Sequence, residues 1–200
     1  MKSTLLSLLC DKRWGWDSGP ESHIQFKANG TGNLLACREF CIYICSEFDW
    51  TVQNPDILAS EVDTETSPVF QFEIEISLTN RFSDVYNPSK YSGKLDAHGN
   101  RGNAAINALH LSDEVFTCRK FKICIEKGRF ITGEDKKKGL STWSATNFAY
   151  RLVFDSSPYP PEQMWKILNY SEPSFWEWNE FCSQEVPPSS CGKIYRALFG

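Results

Sequence analysis

The chain has 200 residues, 41 % of them apolar, and a formal net charge of −4. That length and apolar content suit one globular domain with a sizeable core, spanning 1–200. The acidic balance gives no electrostatic reason to expect nucleic acid, and no stretch approaches the ~18 apolar residues of a membrane helix.

Met1 to Cys10 reads as a short helix that plugs or flanks the core. Leu5, Leu6, Leu8 and Leu9 faintly imitate a signal peptide, but the run stops at Asp11-Lys12-Arg13 without a small-residue cleavage site. A cytoplasmic location and free thiols are therefore expected for the eight cysteines. The sequons at Asn29 and Asn169 would then go unused. Trp14-Gly15-Trp16 follows, and Asp17 to Pro20 turns the chain. Ile24, Phe26 and Ala28 alternate with His23, Gln25 and Lys27, the period of a one-sided strand. Asn29-Gly30-Thr31-Gly32 is a hairpin turn, because Asn and Gly accept positive φ. From Ala36 to Val52 helical and strand periods compete. The β-branched and aromatic run Ile42-Tyr43-Ile44 favours two strand segments broken by a bulge or short loop near 40–45.

Residues 54–68 read as a connection. The next stretch is the clearest in the chain: Phe70, Phe72, Ile74, Ile76 and Leu78 alternate with Gln71, Glu73, Glu75 and Ser77. A helix or a fully buried strand would press Glu73 and Glu75 against apolar neighbours. Residues 83–103 have no period and read as a long loop, a candidate lid. A short strand at 104–111 comes next. Arg119, Phe121, Ile123 and Ile125 then alternate with Cys118, Lys120, Lys122 and Cys124, and a charged turn follows at 133–140. The last clear strand is 148–155, with Tyr150, Leu152 and Phe154 on one side. Residues 156–200 form a proline-rich connector and a helical cap, with helical turns at 162–168 and 174–182. The expected architecture is mainly β: seven or eight antiparallel strands curling around one apolar interior, with short helices at both ends.

A short N-terminal helix, a Trp on the first strand (Leu8-Leu9-Cys10-Asp11-Lys12-Arg13-Trp14) and hairpin-linked one-sided strands resemble the calycins, which include lipocalins and fatty-acid-binding proteins. Cys10 or Asp11 stands where the family's Gly-x-Trp opening has Gly. The resemblance implies a single up-and-down, lipocalin-like β-barrel, with Arg119 or Arg151 packed over Trp14. Trp16-Asp17-Ser18-Gly19-Pro20-Glu21, Ala28 to Gly32, Glu126 to Phe130 and Phe154 to Pro161 look like segments of small fungal proteins. Some lipocalin-like proteins of fungal natural-product pathways are cofactor-free cyclases, Diels–Alder catalysts among them, and the resemblance extends that expectation to this chain.

Fourteen Phe, seven Trp and seven Tyr make aromatic residues the main lining material. Trp16, Phe26, Phe40, Phe48, Trp50, Phe70, Phe72, Ile74, Phe121, Ile123 and Phe154 are the candidate ligand-binding residues. Arg38, Tyr43 and Tyr150 are the candidate catalytic donors to a ligand carbonyl. An inward Arg38 or Arg119 needs a partner, either a ligand or the cover of Trp14. Cys37, Cys41 and Cys45 have the wrong spacing for zinc, and His23, His98 and His110 are scattered, so no metal is expected. No phosphate, dinucleotide or nucleophile-elbow motif appears, and no cofactor is expected. Glu73 with Glu75 reads as a solvated pair. The expected partner is a small hydrophobic molecule of terpenoid or polyketide type, cyclised or isomerised by confinement. The alternative is a non-catalytic carrier on the same fold.

Overall fold

A computed structural model describes residues 3–10, 12–19, 22–38, 41–62, 69–83, 107, 110–166 and 174–187, with Arg38, Cys41 and Phe82 described by backbone alone. The expected lid at 83–103 lies outside these residues beyond Ser83, as do Phe40, Asn169 and residues 167–168 of the expected turn at 162–168; of the expected helical turn at 174–182 only Phe175–Glu177 is helical, and from Glu180 the chain is strand instead. The fold is mainly β. Eight strands form a closed antiparallel sheet: β2 (Arg13–Gly15), β3 (His23–Phe26), β4 (Thr31–Arg38), β5 (Cys41–Val52), β7 (Val69–Phe82), β8 (Cys118–Phe130), β9 (Asn147–Phe154) and β10 (Glu180–Val186). Each pairs with the next, and β10 returns to β2 through Cys182 and Gly15. Closure leaves this sheet without a free edge. A separate two-stranded sheet joins β1 (Ser3–Thr4) to β6 (Glu61–Val62).

The alternation read from the sequence sets which face is buried. Phe72, Ile74, Ile76 and Leu78 are all buried, while Gln71 and Glu73 are exposed. Register aligns Ile74 with Phe121, and Phe72 with Ile123 and in turn Phe154, so the apolar faces of β7, β8 and β9 meet as rows. The aromatic side chains inside then touch one another edge to face. Phe26 meets Phe48 at 5.3 Å and Trp50 at 5.5 Å, and Phe154 meets Phe121 at 5.6 Å and Phe181 at 5.8 Å. Gly32 is what admits the Phe48 ring, since a Cβ there would lie 2.1 Å from it.

Described segments sit over both ends of this sheet. At the end where β2 begins, helix α1 (Leu5–Leu9) buries Leu5, Leu8 and Leu9. It is shorter than the Met1 to Cys10 helix expected, because Thr4 serves as its N-cap and Cys10 leaves in extended conformation. The indole of Trp14 donates to Leu9 O at 2.9 Å and ties helix to strand. At the opposite end, where β4 hands over to β5, the chain after β9 packs Tyr159, Phe175 and Trp178 inward. Tyr159 Oη donates to Leu35 O at 2.7 Å, and Ser157 Oγ donates to Trp178 O at 2.8 Å.

The ambiguous stretch from 36 to 52 resolves into β4 and β5 with a bulge. Ala36 pairs with Ile44 but Cys37 pairs with Ile42, which leaves Tyr43 as the extra residue. Two side chains take up the backbone of this region. The Tyr43 carbonyl lies 2.9 Å from His110 Nδ1, and Asn107 accepts from Cys45 N and donates to Cys45 O, both at 2.9 Å. The charged turn at 133–140 contains helix α3 (Gly133–Lys137), which follows α2 (Asp56–Ala59) in the chain. Among the described residues no helix is long and apolar enough to cross a membrane, and the six cysteines with described side chains are free thiols.

Candidate functional site

A recess of about 430 Å³ crosses β7, β8 and β9 at Gln71-Phe72-Glu73, Lys122-Ile123-Cys124 and Val153-Phe154-Asp155. Its geometry follows from strand alternation. Phe72, Ile123 and Phe154 belong to the buried inner row, so the recess opens past their backbone onto the solvent side. The side chains that project there form two cross-strand rows. Gln71, Cys124 and Val153 make the less polar one; Glu73, Lys122 and Asp155 make the charged one, with Asp155 N donating to Lys122 O at 3.0 Å.

The charged row differs from its surroundings. One step along the same face, Glu75 and Lys120 close a salt bridge of 3.0 Å. On the other flank Arg151 grips Glu126 at 2.7 Å and Glu180 at 3.1 Å, and Lys136 also pairs with Glu180. Glu73 and Lys122 face each other in register just as Glu75 and Lys120 do. Yet among the described residues Glu73, Lys122 and Asp155 have no ion-pair partner within 4.0 Å. The half-buried Cys124 thiol is pushed up by burial and by the nearby Glu126 carboxylate. It is thereby held in the protonated, weakly nucleophilic form. The recess thus offers two anions, one cation and a small apolar floor; it offers no activated nucleophile. Among the described residues no three His, Cys, Asp or Glu side chains gather to hold a metal ion.

Phe72, Ile123 and Phe154, expected to line a cavity inside the sheet, border this outer recess instead, with their side chains in the buried inner row. Phe26, Phe48, Trp50, Ile74 and Phe121 are buried inside the closed sheet against one another and their neighbours. Phe70 is half-buried opposite Ile125. Trp16 stacks on Trp178 with ring centroids 3.6 Å apart, over Gly133, whose missing side chain leaves room for the indole. Phe40 lies outside the described residues, and so does the Arg38 side chain. The remaining donors are not brought together. The bulged Tyr43 packs its ring 4.9 Å from Phe175 at one end of the sheet. Tyr150 lies toward the other end, with Lys12 Nζ 5.0 Å from its ring.

The inward arginine finds a different partner from either one expected. Arg119 covers Phe121 at 4.8 Å and donates to the carbonyls of Ser157, Pro158 and Tyr159 at 2.8, 3.3 and 2.9 Å. Arg151 projects outward into its carboxylate network, over Phe130. Trp14 needs neither, because α1 already covers it. Sequence reasoning does not single out Gln71, Lys122, Cys124, Val153 or Asp155, and it reads Glu73 as half of a solvated pair with Glu75. The one signal for them was that each alternates with a residue of the inner row, which fixes their common face without revealing a depression. No protein-family model matches this chain, and no curated protein or solved structure matches it.

Proposed function

We propose that this protein is a non-catalytic binding protein that holds a small molecule with an apolar body in the β7–β9 recess. We read its closed sheet as an up-and-down barrel of the lipocalin type. The observation that carries the function is the recess itself. Its volume of about 430 Å³ falls in the ~300–1,000 Å³ range of small-molecule sites, and a few polar groups surround an apolar floor. Cofactor-independent cyclisation of a terpenoid or polyketide would need a proton or hydrogen-bond donor beside the bound molecule. Of the donors expected to activate such a substrate, neither Tyr43 nor Tyr150 lines the recess; the donors that do, Lys122 and Gln71, are read as holding a ligand in place. Binding without turnover is the reading we adopt.

The test uses the neutral, polarity-sensitive dye Nile red. The folded protein should shift and brighten its emission, and Val153→Arg, which places a bulky charge on the recess floor, should abolish the effect while keeping the far-UV spectrum. Emission unchanged by the protein, or a full response from the variant, would refute the proposal.

A further inference from the structure

We infer that the ligand of this recess is a small zwitterion of the α-amino-acid class with an apolar side chain, an inference that rests on the recess being the binding site. The row Glu73–Lys122–Asp155 runs across β7, β8 and the residue that follows β9, with charges in the order minus, plus, minus. Adjacent strands lie about 4.8 Å apart, so opposite charges alternate at short range along the row. That spacing suits an ammonium and a carboxylate carried on one carbon.

The three charges are also available. The neighbouring pair, Glu75 with Lys120, shows that this sheet geometry closes a cross-strand salt bridge at 3.0 Å. Among the described residues Glu73 and Lys122, in the same relation, close no salt bridge within 4.0 Å, Glu73 acting through its charge on Lys120, and Asp155 pairs with no cation. The open pair is the one bordering the cavity. A ligand carboxylate on Lys122 Nζ and its ammonium toward Glu73 or Asp155 would form charge-assisted hydrogen bonds to both signs at once. Its side chain would then lie on Val153 and Cys124, flanked by the Gln71 amide. Other ligand charges fit less well. A dianion would bring like charge to Glu73 and Asp155, a dication would bring it to Lys122, and a neutral molecule would engage none of the three and rest on the apolar floor alone.

The experiment titrates isotopically labelled protein with L-leucine, with 4-methylpentanoate, which lacks the ammonium, and with 3-methylbutylamine, which lacks the carboxylate. Backbone amide shifts are followed by NMR. Leucine should move the amides of 71–73, 122–124 and 153–155 and bind at least five-fold tighter than either analogue. Lys122→Met should erase its advantage over 3-methylbutylamine, and Asp155→Asn should reduce its advantage over 4-methylpentanoate. Leucine binding no tighter than the analogues, shifts confined to other strands, or an unchanged preference in Lys122→Met would overturn the inference. If leucine fails while Nile red still responds to Val153→Arg, the recess stands as the binding site and only the zwitterion is wrong.

Discussion

Replacing Arg119 with Met keeps an unbranched stem over Phe121 and removes every donor to the Ser157, Pro158 and Tyr159 carbonyls. Those three acceptors belong to the segment that closes one end of the sheet. A hydrogen bond to a charged donor is worth about 1.5–3 kcal/mol. The bonds at 2.8 and 2.9 Å approach that worth, whereas the one at 3.3 Å is long. All three share one partly solvated guanidinium, so their sum is discounted for screening, and burial already works against its charge. We expect Arg119→Met to lower the unfolding free energy by about 2–4 kcal/mol, read from urea unfolding by tryptophan fluorescence. Tyr159→Phe, which loses one neutral bond to Leu35 O, should cost about 1 kcal/mol. The double variant should fall short of additivity because both side chains anchor the same segment. Native-state hydrogen exchange supplies the local check: protection should drop first at Trp178, which donates to Phe175 O, before the β7–β8 ladder changes. An Arg119→Met protein within about 0.5 kcal/mol of the wild type, the range of an ordinary surface change, would show that the guanidinium does not hold this end closed.

Two further outcomes follow from contacts inside and outside the sheet. Gly32→Ala places a Cβ 2.1 Å from the Phe48 ring and 2.5 Å from Gln25 O, and should cost about 2–3 kcal/mol in thermal or urea unfolding. Phe48→Leu in that background should recover only part, since the backbone clash with Gln25 stays; a stable single variant would refute the packing. Burial works to raise the Glu180 carboxyl, but hydrogen bonds and charge from Lys136 and Arg151 outweigh it and hold the group below its ordinary 4.5. Its contribution is therefore complete above that ordinary value and is lost as pH falls through the lower folded one. Glu180→Gln should cost about 0.5–1 kcal/mol at neutral pH, as befits a partly exposed pair. It should also flatten the fall of stability below the ordinary carboxylate value, and an unchanged acid slope would refute the assignment.

The sequence discloses a period-two face wherever only one side of a strand is buried, and β7 is the case in point. Its alternation places Phe72, Ile74, Ile76 and Leu78 inside before any coordinate is known, because a one-residue slip would bury Glu73 and Glu75. The bulge between β4 and β5 is legible for a related reason. A helical stripe of cysteines and a strand of β-branched residues conflict there, and an extra residue at Tyr43 relieves the conflict. Contacts between residues far apart in the chain leave no such period. Arg119 reaches carbonyls 38 to 40 residues away, and Asn107 meets Cys45 across 62. The candidate site belongs to this second kind. Glu73 and Lys122 come from two strands and Asp155 from just past a third, and nothing in the local pattern of any one segment separates Glu73 from Glu75 or Lys122 from Lys120. What separates them is whether a pair closes across the ladder, a property of side-chain packing around a depression that the polar face alone does not encode. Under the proposed function, recognition falls to the outer face, at the charged row that borders the recess.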